Sequence, residues 1–537
     1  VEEFAVNMTL ARTAAAVLTA SMLCAAAAWG QPAQRTVALA PATGPNGTDP
    51  FLWLENKDGA RAMRWVRAQN ARTLPVLQGD AHYRTLYADA LKIDQSQARI
   101  PYPEYLDGAV FNFWQDAKHV RGVWRKTTLQ GYRTASPAWT TVLDLDALSK
   151  REHANWVWKG ADCAQPQERR CMISLSDGGE DAVTLREFDL RTHSFVRGGF
   201  SLRREKQNTA WVDENTLVIS RAWRPGQLTA SGYSYVVKRL RRGQPLASAV
   251  EIFRGKPSDV SVDPFTLHDG SGHQAVLLRR GVTFFTSEYY LLTGAGLHKL
   301  NLPLKSDVDG LVDGRLLVAL NQDWAVNGKT FKQGSLISIA LAQLQAHSQS
   351  AQPSLVFAPG PRESLQGVSA TKNDLVLTVY QNVRGRAFVY TPAANGTWSQ
   401  RRLALPDDAS VDVVDTNIHN NRIFLTVSGF LTPTTLYAAG GASTPRQIKA
   451  MPSQFDASKD VVEQREATSK DGTRIPYFIV HPKDMRYDGS NPTVLAAYGG
   501  FQLSMTPSYS GVTGKLWLER GGVYVLANIR GGGEFGP

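Results

Sequence analysis

The sequence predicts a multidomain chain of class β plus α/β, a seven-bladed β-propeller followed by the amino-terminal part of an α/β sheet. Three observations carry that reading. β-rich units recur with a period of roughly 50 residues through the middle of the chain. Helical periodicity is confined to a short stretch ahead of them. After about residue 455 the texture switches to short, wholly apolar strands, the kind a sheet covered on both faces requires.

The amino end reads as a targeting segment. From Met8 the chain runs "MTLARTAAAVLTASMLCAAAAWGQPAQ", one Arg, an apolar stretch, then small residues and a polar, Pro-containing tail. That is the order of a secretory signal peptide, and about fifteen apolar residues are short for a bilayer span. Residues 1–30 are assigned to it, with 1–7 untranslated if Met8 is the start, and 31–48 to a linker. Cys24 follows Leu23, where a lipid-anchor site needs a small residue, so no anchor is expected. A buried amino-terminal helix is the rival reading. No later segment is apolar enough to cross a membrane, and the expected location is secreted or periplasmic.

Residues 49–98 form the helical segment. In "DGARAMRWVRAQNARTL", Ala60, Met63, Trp65 and Val66 recur at helical intervals behind Asp58, the expected cap.

Residues 99–455 form the propeller. One strand type recurs as "TTVLDL", "LREFDL", "SYVVKR", "EYYLLT", "LISIAL", "RAFVYT" and "TTLYAA". Anchored at Leu145, Leu190, Val237, Leu291, Ile339, Val389 and Leu436, the spacings are 45, 47, 54, 48, 50 and 47. A unit of that size cannot bury both faces alone, so units must stack around an axis. A β-sandwich array is the alternative, but its units need about 100 residues each. The formal charge of +11 is scattered, and its densest run, "KRLRRG" at 238–243, sits at a probable hairpin end. A solvated basic surface explains it, and no nucleic-acid partner is expected. Behind an export signal, the lone pair Cys163 and Cys171 in "GADCAQPQERRCMISLS" reads as a disulfide. A metal would need further ligands, and this stretch holds no His.

Residues 456–537 begin the α/β domain. "VVEQREATSKDGTRIPYFIVHP" reads as a hairpin around Asp471-Gly472, and "PTVLAAYGG" and "GGVYVLANIRGGG" as buried strands. The second is expected to leave an unpaired edge at "VYVLANIR".

Several chemistries fail on inspection. Gly531, Gly533 and Gly536 satisfy G-x-G-x-x-G, but a dinucleotide fingerprint needs a helix there and an acidic residue about twenty positions on. Only Pro537 follows, and a nucleotide-dependent oxidoreductase rests on nothing else. The "NGKT" at 327–330 lacks the first glycine of a phosphate loop, H-E-x-x-H is absent and the ten histidines are scattered, so no metal or cofactor is expected. No Ser has Gly at both i−2 and i+2, and the last histidine, His481, precedes the strands on which an α/β-hydrolase nucleophile would sit. "AAYGGF", however, places a Tyr and two Gly where the third strand of such a sheet ends. There the Tyr498 phenol can donate to a tetrahedral oxyanion, or simply pack the strand end.

The residues also resemble a family. "DPFLWLEN" at 49–56 and "WVRAQN" at 65–70 are similar to the opening of the prolyl oligopeptidase family of serine peptidases. "LTASGYSYVVKRLRRGQPL" and "SGFLTPTTLY" resemble its propeller, and "YGGFQLSMTPSYSG" with "WLERGGVYVLANIRGGGEFGP" its catalytic domain. The resemblance implies a seven-bladed propeller capping an α/β-hydrolase domain, with the 49–98 helices packed on the latter, and cleavage of short peptides, often after proline. It makes Tyr498 the oxyanion-hole hydroxyl and Phe501 part of the apolar pocket for the residue before the scissile bond, with core packing as the rival role for Phe501. Nucleophile, acid and base lie outside these residues, so an inactive fragment of a monomeric peptidase is expected. The alternative is a non-catalytic secreted propeller acting as a binding module.

Overall fold

A computed structural model describes residues 49–56, 58–347, 352–440 and 443–537, with the backbone alone at 43–44 and 47–48. The signal segment read at 1–30 and most of the 31–48 linker lie outside the described residues.

Seven antiparallel sheets follow one another in sequence order, spanning 104–144, 156–205, 208–254, 261–299, 306–357, 363–402 and 410–450. Each is a meander whose strands pair with their sequence neighbours, except that the last strand of sheet 2, Ser201–Glu205, pairs with the third, Val183–Asp189; sheet 5 carries an extra hairpin at 324–331. From sheet 3 round through sheet 7 to sheet 1, the first strands of neighbouring sheets lie side by side, which makes them the innermost. Between sheets the faces close on apolar cores. Leu106, Phe111 and Trp124 of sheet 1 meet Ile173 and Phe188 of sheet 2, and Leu277 and Tyr289 of sheet 4 meet Leu316 and Ile337 of sheet 5. The ring closes where Val110 and Tyr132 pack on Val414, Phe424 and Leu436 of sheet 7. No strand is shared across that seam. Side-chain bonds span it instead: Tyr105 N donates to Asp415 Oδ2 at 3.0 Å, and Asn417 Nδ2 donates to Tyr105 O at 2.9 Å. Val237, Leu291, Ile339, Val389 and Leu436 all fall on third strands, which explains their regular spacing. Leu145 does not. It opens a short helix, Leu145–Glu152, after the outer strand of sheet 1, because Asp144 accepts from Ala147 N and caps the turn there.

Cys163 and Cys171 face each other across the first two strands of sheet 2 and are joined in a disulfide. The loop they close presents Glu168, buried at 2% exposure, whose Oε2 accepts from Asp107 N of sheet 1 at 2.7 Å. Its Oε1 accepts from Gln165 Nε2 at 2.8 Å. The disulfide therefore holds a loop that braces the first two blades. Replacing both cysteines with serine is expected to remove roughly 2–3 kcal/mol of stability, the loop-closure entropy of so short a loop. Urea unfolding of the two proteins measures it, and equal midpoints would refute the expectation.

The carboxyl-terminal sheet has strands β1 (Asp460–Thr468), β2 (Arg474–Pro482), β3 (Thr493–Ala497) and β4 (Val523–Ala527) in spatial order β1-β2-β4-β3. β4 pairs antiparallel with β2 and parallel with β3. The expected edge is thus corrected. "VYVLANIR" lies inside the sheet, and β3 is the edge strand beside it, with Val494 and Leu495 exposed. The parallel β3–β4 crossover places the later strand inward, a topological fact that neither strand's composition encodes.

Ahead of the propeller, helices α1 (Ala60–Gln78) and α2 (Tyr83–Asp94) pair with each other, and α2 packs on α3 (Gly511–Leu516), the helix joining β3 to β4. Gly59, rather than Asp58, occupies the cap position of α1. Gly511 lies so close to Ile93 of α2 that an added Cβ would meet its Cγ2 at 3.2 Å.

Candidate functional site

The site forms where the parallel strands β3 and β4 end side by side, each running into a glycine turn. Gly531 has φ +90°, and a Cβ there would collide with the Gly499 carbonyl oxygen; one on Gly499 would collide with the Arg530 carbonyl. Only glycine lets the two backbones approach this closely. Gln502 N then donates to Gly531 O at 3.1 Å, linking the turns. Arg530 anchors the second turn sideways through an ion pair with Asp471 at 2.6 Å. Asp471, held first by the Thr473 backbone N–H and then by Arg530, has its carboxyl drawn down to about 2.

Within this frame the Tyr498 ring folds over the turn so tightly that a Cβ on Gly500 would stand 2.5 Å from its hydroxyl. The side chain is 41% exposed, and no described residue hydrogen-bonds the hydroxyl. A phenol that merely packed a strand end would be covered. Phe501 is 66% exposed with φ +54°, so its ring is presented outward and not packed in a core. That ring meets Phe284 of the propeller, 5.7 Å between centroids, inclined at 61°.

Residues unmarked in the sequence reading hold the arrangement. Glu534, buried at 2% exposure, accepts from Met505 N at 2.7 Å and Asn528 Nδ2 at 3.1 Å, tying the loop after β4 to the segment after Phe501. Its backbone O accepts from Ser364 Oγ of sheet 6 at 2.8 Å. Arg362, just before that sheet's inner strand, pairs with Glu466 of β1 at 2.6 Å and stacks over Phe535 at 5.0 Å. Gln464 of β1 and Asn382 of sheet 6 bond reciprocally, at 2.7 and 3.1 Å. A lone Glu inside "GGGEFG" was the one sequence signal for any of these. The propeller's inner strands also carry carboxyls: burial, with Asp307 nearby, pushes Asp309 up to about 7, and burial raises Asp412. His481 lies elsewhere, buried on β2 with Nδ1 2.7 Å from Pro482 O. Among the described residues no serine hydroxyl hydrogen-bonds a histidine ring, and no three His, Cys, Asp or Glu gather as metal ligands. No helix among them is long and apolar enough to cross a membrane.

Residues 34–450 match the family model for the prolyl oligopeptidase N-terminal β-propeller domain. An uncharacterized peptidase of Sinorhizobium fredii is 44% identical over 522 residues, covering 94% of this chain and 72% of its own length. A prolyl endopeptidase of Elizabethkingia miricola is 35% identical over 137 residues, covering 25% of this chain and 19% of its own. Among solved structures, a post-proline cleaving enzyme from Rickettsia typhi matches with a TM-score of 0.80 at 29% identity, over 90% of this chain and 72% of that one.

Proposed function

The chain belongs to the prolyl oligopeptidase family, and from that premise we propose that it serves a serine peptidase that cleaves short peptides after proline, with a seven-bladed propeller set over an α/β-hydrolase sheet. The observation that carries the reading is the Tyr498 hydroxyl, exposed and without a hydrogen-bond partner among the described residues, on a turn that two glycines lock to the neighbouring strand end. Acyl transfer builds negative charge on the substrate carbonyl oxygen, and a fixed donor at that point stabilises the tetrahedral intermediate more than the ground state. Phe501 offers the flat apolar surface that a proline ring in the preceding position would contact. The seven sheets close a ring over this end of the sheet, which suits short peptides and excludes folded proteins. The signal-like segment from Met8 supports an exported protein.

Nucleophilic catalysis also needs an activated serine and its base. These 537 residues supply the donor and the pocket wall, and we assign them no hydrolysis of their own. The test is a chromogenic proline-containing peptide and a serine-directed label offered to this chain and to a catalytically complete form, the chain joined to a hydrolase segment that carries the serine, acid and base. Turnover and labelling are expected from the complete form alone. Labelling of the 537-residue chain would overturn the assignment, and a complete form inert to every peptide would overturn the peptidase reading.

A further inference from the structure

We propose that a cavity between the fifth and sixth blades of the propeller, walled by Phe388, Tyr390 and Trp398 and carrying the carboxylate of Glu363, binds a small alkylated ammonium ion of the choline type. The inference goes beyond the peptidase reading, because the site lies within the propeller and its occupancy is measured without peptide cleavage.

All four strands of sheet 6 line this cavity: Glu363 comes from the first, Gln381 from the second, Phe388 and Tyr390 from the third and Trp398 from the outermost. Val356 and Phe357, on the outer strand of sheet 5, form the opposite wall. The volume between them is about 380 Å³. A second cavity, of about 410 Å³, shares Val356 and Trp398 with the first and extends to Lys329 and Phe331 of the extra hairpin of sheet 5. Protein interiors leave few voids larger than a water molecule. Here the core between the two sheets includes Val356, Phe357 and Tyr390, and Phe388 and Trp398 stand on its margin. Close packing stops at these rings.

The chemistry of the walls selects the ligand. Glu363 is the one charged residue lining the first cavity among the described residues. Its carboxylate is fixed in place: Oε2 accepts from Gly360 N at 2.8 Å and Oε1 from Gln381 Nε2 at 2.7 Å. Both donors are neutral, so they orient the charge without cancelling it. Burial raises the Tyr390 hydroxyl, and the negative charge of Glu363 raises it further. Arginines on the same strands are committed elsewhere. Arg384 pairs with Asp408 at 2.6 Å, and Arg386 and Arg402 pair with Asp407 at 2.9 and 3.1 Å. Trp398 Nε1 is buried without a hydrogen-bond partner among the described residues, an unfavourable state that an acceptor on the ligand relieves. Aromatic faces attract cations, tryptophan most strongly, and alkylated ammonium ions suit such walls because they give up water readily. An anion is repelled by Glu363, and a primary amine holds its water more tightly. Choline also carries a hydroxyl oxygen, the acceptor that Trp398 lacks.

The competing account is a cavity that takes up water alone, with a water oxygen bonded to Trp398. Calorimetric titration of the 537-residue chain at constant ionic strength separates the two, using choline and its uncharged tert-butyl isostere, in which carbon replaces nitrogen. Choline is expected to saturate a single site with a Kd on the order of 1 mM or tighter. The isostere should bind at least about tenfold more weakly. Glu363→Gln, which keeps the shape and one acceptor oxygen, is expected to weaken choline at least about tenfold. Trp398→Phe, which keeps a ring but no N–H, should weaken it about threefold. Circular dichroism checks the fold of each variant, and the pair of ligands on the parent chain decides even if a variant fails to fold. Equal binding of choline and isostere, no saturation by choline, or full choline affinity in a folded Glu363→Gln overturns the inference. Phosphatidylcholine vesicles present the same headgroup on a surface. Sedimentation of the chain with them, without a response to free choline, overturns the free ion as the occupant.

Discussion

Tyr498→Phe in the catalytically complete form is expected to lower kcat by roughly 10²–10³-fold, with KM changed by less than about threefold. The substitution removes one oxygen from a ring that is 41% exposed, so little packing is lost and the fold should be unaffected. What disappears is a donor with no other partner among the described residues, aimed from a turn that cannot relax. The ground-state carbonyl needs that donor little, and the tetrahedral oxyanion needs it strongly, so the effect belongs in kcat. Single-turnover acylation measured beside steady-state turnover makes the distinction. An equal rise in KM with kcat preserved would show that Tyr498 holds substrate and leaves the oxyanion to other donors.

The propeller was legible because its third strands repeat. Val237, Leu291, Ile339, Val389 and Leu436 each place an apolar side chain at the same step of the meander, and a period of about 50 residues admits few architectures. Leu145 was matched by composition alone, and it proved to begin a helix after an outer strand. The edge of the carboxyl-terminal sheet was not legible. "TVLAA" and "VYVLA" look alike as strings, and only the crossover through α3 decides which is buried. The same limit governs the site. Tyr498 could be singled out as a candidate because "YGG" is a local signal at a strand end. Phe284, Arg362 and Glu534 could not, since each acts across a boundary between segments far apart in sequence, where no periodicity or spacing marks it.

Gly531→Ala is expected to abolish most activity of the complete form, with a loss of about 100-fold or more, although it adds one methyl group away from the reacting atoms. Two effects combine. The φ of +90° disfavours any residue with a Cβ, and the added Cβ would also collide with the Gly499 carbonyl, so the two strand ends must separate. Separation breaks the Gln502 N to Gly531 O bond and moves the turn on which Tyr498 and Phe501 stand. Gly521→Ala supplies the control, because Gly521 has φ +83° with open space around its missing Cβ. It should show the conformational strain alone, about 1 kcal/mol of stability, with kcat intact. Hydrogen exchange in the 537-residue chain reports the cause without reference to activity: the Gln502 amide should lose protection in Gly531→Ala and keep it in Gly521→Ala. If the two variants match in both kcat and exchange, the approach of the two turns does not position the site, and Tyr498 must be fixed by contacts other than the Gly499–Gly531 lock.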